Sequence, residues 1–305
     1  MKSHEPEVVF PAGASLGEGP VWSARERCLY WVDLLAGVIH RHHPDSAGNR
    51  RWELPFSVGA VVERQSGGQS GGLAIATGRG FAGFDPVTGA IDPWCHPEAD
   101  LPGNRFNDGK VAPDGSFWAG TMSAGATQPP VGSLYRLDPR RLDPQRGVVR
   151  LVDGVSVSNG LAWSADGRTF FYIDTPTARV DAFSLDPQAP AVLGERRVAV
   201  AVDDREHGWL DGMCIDAEGM LWVAHWGGWR VNRFDPRTGR LLRTVKLPVS
   251  NVTSCAFGGE RLDRLFITTA RLGLDAAQLA QQPLAGALFC LDTGPIGLAA
   301  TLYAG

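Results

Sequence analysis

A short turn motif recurs at intervals of about fifty residues along the chain, and this repeat limits the possible folds more than any other feature. Each copy combines Asp with Pro, Gly or both. The six copies lie at residues 43–45, 84–89, 137–139, 185–187, 234–239 and 291–294. Proline fixes φ, Asp bonds to the local backbone and Gly accepts positive φ, so each copy should reverse the chain.

A second motif lies inside each repeat: a short apolar strand, a turn that is often Asp-Gly, and an aromatic-rich strand. The clear copies are residues 111–118, 161–171 and 214–222, and the looser copies are 21–31, 73–76 and 257–266. Asp-Gly between apolar runs is a strong hairpin signal. The 38 Gly and 21 Pro, spread along the chain, also favour many short strands over helices.

Six copies in 305 residues give about 51 residues per copy, the length of a four-stranded antiparallel blade. We therefore predict an all-β fold: a six-bladed β-propeller that forms a single domain over residues 1–305. An open array would need polar capping repeats, which are not evident. Residues 7–10 are expected to close the ring by pairing into the last blade, and the one good helical stretch is 274–284.

Charge and cysteine content exclude several classes of protein. The net charge of −4 gives no basic excess for a phosphate backbone, so we expect no nucleic-acid partner. The N-terminus lacks a secretory signal and no segment reaches membrane-spanning length, so we expect a cytoplasmic protein without membrane contact. The five cysteines are widely separated and form no CxxC pair, which predicts buried free thiols.

Several motifs resemble known sites but lack the required context. Residues 13–17 match GxSxG without the strand and helix of a nucleophile elbow, and residues 78–83 match GxGxxG but run into a turn. His40, His42 and His43 end at a turn with no carboxylate or thiolate nearby in sequence, which predicts a solvated strand end rather than a metal site. For Trp226 and Trp229 we expect packing, with sugar stacking as the alternative.

One set of polar residues recurs at matching places, just before the first strand of each unit. The set is Glu18, Asn107, Asn159, Asp211 and Asn251. Because the innermost strands of a propeller line its channel, these side chains should form a polar ring at one channel mouth. Carboxylate and amide oxygens suit Ca²⁺, Mg²⁺ or Mn²⁺. The alternative is that Asp-Gly and Asn-Gly are only turns, although Glu18 has no such role.

Five motifs in this order, GEGPVW, RFNDGKVAPDG, AGTM, SNGLAWS and LDGMCID, resemble the regucalcin (senescence marker protein)/gluconolactonase family over residues 14–294. The resemblance implies a six-bladed propeller that hydrolyses sugar lactones with one divalent cation, which could be Ca, Mn, Mg, Zn or Fe. It also implies Glu18, Asn159 and Asp211 as metal ligands, Asp211 as catalytic acid/base, and Arg105 and Asn107 as substrate-binding residues.

The match is closest in appearance to bacterial aldonolactonases, so the expected partner is a small sugar lactone: a glucono-, xylono-, arabinono- or galactonolactone. We expect a monomer or weak dimer. Gly125 stands where some members carry a substrate-contacting Glu, and this predicts a mobile lid over 123–131 and a different substrate range. Open alternatives are paraoxonase-like arylester or phosphotriester hydrolysis, a non-enzymatic calcium-binding propeller, and a water acidified by the cation, rather than Asp211, as the effective base.

Overall fold

A computed structural model of the protein describes residues 5–46, 48–65, 72–123, 130–140, 147–202 and 207–305. It contains six four-stranded antiparallel sheets arranged as the blades of a β-propeller. This confirms the all-β, six-bladed prediction. Gly125 and most of the predicted lid lie outside the described residues.

Each blade is built mainly from four consecutive strands. Blade 1 contains β2 (Gly17–Ser23), β3 (Cys28–Asp33), β4 (Val38–His43) and β5 (Gly48–Glu53). Blade 2 contains β6 (Val58–Glu63), β7 (Leu73–Thr77), β8 (Gly80–Phe84) and β9 (Ile91–Cys95). Blade 3 contains β10 (Asn104–Val111), β11 (Phe117–Ser123), β12 (Gly132–Leu137) and β13 (Val148–Val155).

The remaining blades follow the same order, except that the sixth takes its outer strand from the N-terminal part of the chain. Blade 4 contains β14 (Ser158–Trp163), β15 (Thr169–Asp174), β16 (Arg179–Leu185) and β17 (Leu193–Ala201). Blade 5 contains β18 (Trp209–Ile215), β19 (Leu221–Trp226), β20 (Arg230–Asp235) and β21 (Arg240–Lys246). Blade 6 contains β22 (Val252–Gly258), β23 (Arg264–Thr269), β24 (Leu288–Asp292) and β1 (Glu7–Phe10).

In blades 1 to 5 the recurring turn joins the third and fourth strands and reverses the chain, as predicted, whereas the sixth copy follows β24, the third strand of blade 6. Between β8 and β9, Asp85 Oδ1 accepts a hydrogen bond of 2.8 Å from the Val87 amide, and Gly89 has φ +77°. The copy after β20 repeats this arrangement with Asp235, Arg237 and a Gly at φ +73°. A side-chain cap and a left-handed glycine thus reverse the chain at both places.

The innermost strands β2, β6, β10, β14, β18 and β22 contact one another in sequence around the ring. The ring closes where β1 pairs antiparallel with β24, with Glu7 opposite Cys290 and Val8 opposite Phe289. This confirms the predicted role of residues 7–10. Helix α1 (Ala276–Gln281) lies within the predicted helical stretch and begins with a capping box formed by Asp275 and Gln278.

Large aromatic side chains fill the spaces between blades. Trp31, Trp118 and Trp222 lie on the second strands of blades 1, 3 and 5 and are almost completely buried. Trp118 packs edge-on against Phe170 of the next blade, with ring centroids 4.7 Å apart. Burial of one such side chain contributes about 1.5–3 kcal/mol, so these contacts stabilise the packing of each blade against the next.

The prediction of a solvated strand end at the histidines is wrong for two of the three. His40 and His42 are only 6% and 1% exposed, because β1 packs Phe10 against them from the neighbouring blade. His40 also stacks on Trp31 with ring centroids 4.0 Å apart. Burial lowers the pKa of both imidazoles to about 4, so both are neutral near pH 7.

The other sequence matches have structural explanations. The GxSxG segment is a loop that leads directly into strand β2, and the GxGxxG segment is the β7–β8 turn followed by β8 itself. No helix directly follows either segment. This confirms that neither motif has the structural context of a nucleophile elbow or a dinucleotide-binding loop. All five cysteines are free and buried. Among the described residues, no helix is long and apolar enough to cross a membrane.

The β1–β24 pairing makes stability depend on residues 7–10. Deleting residues 1–10 removes the half-buried Val8, Val9 and Phe10, and we expect the free energy of unfolding to fall by about 2–4 kcal/mol. Urea unfolding followed by tryptophan fluorescence measures the change. Deletion of residues 1–4 alone leaves β1 intact and should not move the midpoint. Equal midpoints for both truncations would contradict a stabilising role for β1.

Candidate active site

All six inner strands carry a shift in antiparallel register at the same level of the channel. The shifts fall between Glu18 and Val21, Val58 and Ala60, Phe106 and Asp108, Asn159 and Leu161, Leu210 and Met213, and Val252 and Ser254. A bulge bends a strand and redirects its side chains. Four of the five polar residues predicted to line the channel mouth, Glu18, Asn107, Asn159 and Asp211, lie at these bulges.

Glu18 on β2 and Asp211 on β18 are the two carboxylates of this set. They are 4% and 5% exposed. Burial raises the pKa of Glu18 well above its usual range, and repulsion from Asp211 and then Asp108 raises it further. Burial, then repulsion from Asp108, likewise raises the pKa of Asp211. The two carboxylates therefore lie in a poorly solvated space where their ionised forms are disfavoured.

Asp108 is a third buried carboxylate of the channel that the sequence reasoning missed. Successive side chains of a regular strand point to opposite faces, so a strand with Asn107 facing the channel should direct Asp108 away from it. The bulge on β10 removes this restriction. Asp108 is 4% exposed, and burial raises its pKa while the Lys110 ammonium lowers it. The signal available in the sequence was the Asn-Asp-Gly run itself.

Hydrogen bonds fix the orientation of the Asn159 amide. Its Nδ2 donates to Thr175 Oγ1 at 2.8 Å, and that hydroxyl donates to the Leu210 carbonyl at 2.8 Å. Its Oδ1 accepts from Asn107 Nδ2 at 3.2 Å. The amide oxygen of Asn159 is thus held on the side of Asn107, with a second lone pair available for a ligand.

Arg105 and Asn107 form a joined pair at the start of β10. Arg105 Nη1 donates to Asn107 Oδ1 at 2.6 Å, while Asn107 Nδ2 also donates to the Ser158 carbonyl at 2.8 Å. Burial lowers the pKa of Arg105 to about 10, and the Glu18 charge opposes this shift. The guanidinium therefore remains protonated at neutral pH and retains donors for a bound polyol.

The ring of polar residues is incomplete in blades 2 and 6. Asn251 donates to the Leu272 carbonyl at 2.9 Å and accepts from Ser250 Oγ at 3.2 Å, so its amide anchors a loop. In blade 2 the equivalent level is occupied by Gly59, whose missing Cβ would lie 2.5 Å from the Phe106 carbonyl oxygen. Close backbone packing at this point excludes any side chain.

The donor set of Glu18, Asp211 and Asn159 fits a divalent cation. Over the described part of the chain, neither carboxylate forms a salt bridge with Lys, Arg or His. No three His, Cys, Asp or Glu side chains there form a ligand group by themselves, so a cation at this level would take an amide oxygen as its third protein ligand. Two buried carboxylates without a salt bridge are costly to ionise unless a cation neutralises them.

A cavity of about 360 Å³ opens at the other end of the inner strands, away from these residues. Its wall is mainly apolar and includes Trp22, Val62 and Trp163, and residues 298–301 form part of its lining. Of the acidic residues discussed above, Asp108 alone belongs to its lining. The cavity and the candidate site therefore lie at different levels along the inner strands, with Asp108 between them.

The packing of β14 against β18 sets the spacing of two proposed ligands. A Cβ at Gly160 would lie 2.8 Å from the Asp211 carbonyl oxygen and 2.9 Å from Met213 Cγ. Gly160→Ala should therefore push the strands apart, cost about 1–3 kcal/mol and weaken cation binding. Gly103→Ala is the matched control, since nothing lies within 4 Å of its Cβ position. Urea unfolding and calorimetric cation titration measure both effects, and equal results for the two variants would contradict this role of Gly160.

The two tryptophans considered for sugar stacking differ in environment. Trp226 is half-buried and packs against an apolar cluster that contains Leu16 and Ala270. Trp229 is 42% exposed and has a positive φ of 58°. Packing is thus confirmed for Trp226, and sugar stacking stays a prediction.

Comparisons with known proteins identify the family and support the fold. The family model "SMP-30/Gluconolactonase/LRE-like region" matches residues 16–271. Regucalcin from Danio rerio is 42% identical over 95% of this chain and 94% of its own length, and regucalcin from Homo sapiens is 40% identical over the full length of both.

Two solved structures extend the comparison. A calcium-binding protein, regucalcin, from Agrobacterium tumefaciens has a TM-score of 0.88 at 30% identity and covers 98% of this chain and 97% of its own. A gluconolactonase from Xanthomonas campestris has a TM-score of 0.72 at 25% identity and covers 94% of this chain and 89% of its own.

Proposed function

The chain belongs to the SMP-30/gluconolactonase/LRE-like family, and we propose that it is a metal-dependent lactonase that opens sugar aldonolactones to aldonic acids. The observation that carries this proposal is the pair of buried carboxylates, Glu18 and Asp211, which form no salt bridge in the described part of the chain. The pair lies at a level of the channel where Arg105 and Asn107 offer donors for a polyol.

In this proposal Glu18, Asp211 and the amide oxygen of Asn159 hold one divalent cation. When bound, the cation supplies Lewis-acid polarisation of the lactone carbonyl, worth several kcal/mol of transition-state stabilisation. The protein's own contribution is to keep the three oxygens in place. Asn159 is fixed through Thr175, and the β14–β18 packing determines how close it lies to Asp211.

Asp211 is also the proposed acid/base. Its carboxylate accepts a proton from the attacking water and returns one to the leaving alkoxide oxygen as the ring opens. A cation ligand normally has a low pKa, which makes it a weak base. Burial, and then repulsion from Asp108, raises the pKa of Asp211 and offsets part of that loss. Asp108 thus has a proposed role in keeping Asp211 basic.

Arg105 and Asn107 are the proposed substrate-binding residues. Their mutual hydrogen bond and the bond from Asn107 to the Ser158 carbonyl hold both side chains in place before substrate arrives. Preorganised donors orient the lactone without an ordering cost at the moment of reaction. A polar pair of this kind favours a hydroxylated sugar over an apolar arylester.

A chelation experiment tests the proposal. We expect hydrolysis of glucono-, xylono-, arabinono- or galactonolactone to be lost after chelation and restored when one of Ca²⁺, Mg²⁺, Mn²⁺, Zn²⁺ or Fe²⁺ is added alone. Arylester and phosphotriester rates measured in parallel should stay well below the best lactone rate. Restored arylester turnover without lactone turnover would favour the paraoxonase-like alternative. Chelation without effect on the lactone rates would contradict the cation requirement.

A second candidate is a calcium-binding propeller without catalysis, and the likeness to the calcium-binding Agrobacterium tumefaciens protein favours it. Tight Ca²⁺ binding with no turnover of any lactone would support it. For either function we propose a cytoplasmic monomer or weak dimer, consistent with five free buried thiols.

A further inference from the structure

Two of the buried cysteines lie close together at the interface between blades 5 and 6. Cys214 on β18 and Cys255 on β22 have their Sγ atoms 3.6 Å apart. Cys255 Sγ also lies 3.4 Å from the Trp222 carbonyl oxygen. For Cys28, Cys95 and Cys290, no thiol–thiol contact is found over the described residues.

We propose that Cys214 and Cys255 form a redox modification site, in which a small peroxide entering the channel cavity converts the two thiols to an inter-blade disulfide. The proposal stands on geometry and does not depend on the lactonase assignment. It assigns a function to two side chains for which neither the candidate site nor the packing of the blades requires a thiol.

The geometry permits the bond. A disulfide has an S–S distance of about 2.05 Å, so the sulfur atoms must approach by roughly 1.5 Å. Strands β18 and β22 contact each other but belong to different sheets. The approach therefore needs side-chain rotation and a small shift between blades, with no loss of ladder hydrogen bonds inside either one.

The cavity provides a route for the oxidant. Cys214 is 8% exposed and is one of the residues that line the 360 Å³ cavity, whereas Cys255 is 1% exposed. A peroxide is about the size of two water molecules and fits this space. Cys214 is therefore the thiol that reacts first, and Cys255 lies within reach of its oxidised product.

The chemistry balances in two steps. The Cys214 thiolate attacks one peroxide oxygen, an S–O bond forms, the O–O bond breaks, and the departing hydroxide takes up the thiol proton as water. The Cys255 thiol then attacks the sulfenic sulfur, an S–S bond forms, the S–O bond breaks, and a second water leaves. Two thiols lose two electrons in total, and the peroxide gains them.

Burial slows the first step, because it raises the pKa of the Cys214 thiol well above its usual range. The Lys110 ammonium opposes this shift. Disulfide formation should therefore be slow at neutral pH and faster in alkaline solution. Capture by Cys255 keeps Cys214 from advancing to the irreversible sulfinic acid.

The test uses the folded, full-length protein with hydrogen peroxide. After treatment, alkylation in denaturant and mass spectrometry, we expect the number of free thiols to fall from five to three. A peptide pair cross-linked through Cys214 and Cys255 should appear, and dithiothreitol should restore both thiols. Cys95→Ala, on the outer strand of blade 2, is the matched control and should form the same cross-link.

Cys255→Ala separates this site from general oxidation. In that variant no disulfide should form, and Cys214 should instead carry sulfenic and then sulfinic acid. Five intact thiols in the treated wild-type protein, a disulfide between any other pair, or direct sulfinic acid on wild-type Cys214 would each overturn the proposal. If Cys255→Ala does not fold, peptide mapping of the wild-type protein decides the question by itself.

Discussion

Asp211→Asn is expected to lower kcat on the best aldonolactone by about 10²–10⁴-fold at saturating cation, the usual contribution of general acid–base assistance. The variant keeps an oxygen of similar size at the same place but loses the charge and the proton acceptor. Steady-state kinetics over a range of cation concentrations separates the loss in kcat from weaker cation binding.

Glu18→Gln is the matched control for this variant. Glu18 is similarly buried and its pKa is also raised, but it has no proposed proton role. We expect weaker cation binding and a much smaller loss of kcat once the cation is saturating. If both variants recover similar kcat values with excess cation, Asp211 acts only as a ligand and its assignment as acid/base is wrong.

The repeat predicted the fold well because its signals are local. The turn at residues 84–89 contains its own cap and its own left-handed glycine, so six residues are enough to indicate a chain reversal. Residues 7–10 were recognised by a different argument: a ring needs closure, often by pairing one terminus into the other's blade, and these residues formed a candidate strand. The strand order of blade 6 confirms it.

The candidate site was predictable where glycines flank a polar residue, as at Glu18 and Asp211. Asp108 was missed because strand alternation, a good rule for regular strands, fails at the β10 bulge. A bulge cannot be predicted from the local sequence when the residues on both sides of it have the pattern of a regular strand.

The histidines were misjudged for a different reason. Within blade 1, Trp31 stacks on His40, but Phe10, the residue that packs against both His40 and His42, comes from a strand of blade 6. Their burial depends on ring closure and on the side chains that closure brings together. The sequence pattern of blade 1 alone therefore cannot predict a contact with a side chain from blade 6.

The second large effect concerns stability in the absence of cation. Burial raises the folded-state pKa of Glu18 and Asp211 above the ordinary value of about 4. At a pH between the unfolded-state pKa and the raised folded-state pKa, the folded protein holds protons that the unfolded chain has released. The free energy of unfolding therefore falls as pH rises through this range. Each unit of pKa shift contributes about 1.4 kcal/mol, or roughly 2–4 °C in Tm.

Other groups titrate in the same pH range, and the experiment must separate their contribution to stability from that of the two carboxylates. Burial lowers the pKa of His40, His42 and His225 to about 4, so between about pH 4 and 6.5 they make stability rise with pH. The difference in Tm between the wild-type protein and a Glu18→Gln/Asp211→Asn variant cancels this contribution, because both proteins contain the three histidines.

We therefore expect the chelated wild-type protein to become less stable than the double variant as pH rises above about 4, with the gap widening until both carboxylates are ionised. Saturating cation should reverse the order, because it neutralises the charges that repel each other and binds only the folded wild-type protein tightly. Differential scanning fluorimetry at several pH values, with chelator and with cation, measures both differences. Parallel curves for the two proteins under chelation would mean that the folded-state pKa values of the two carboxylates are not raised.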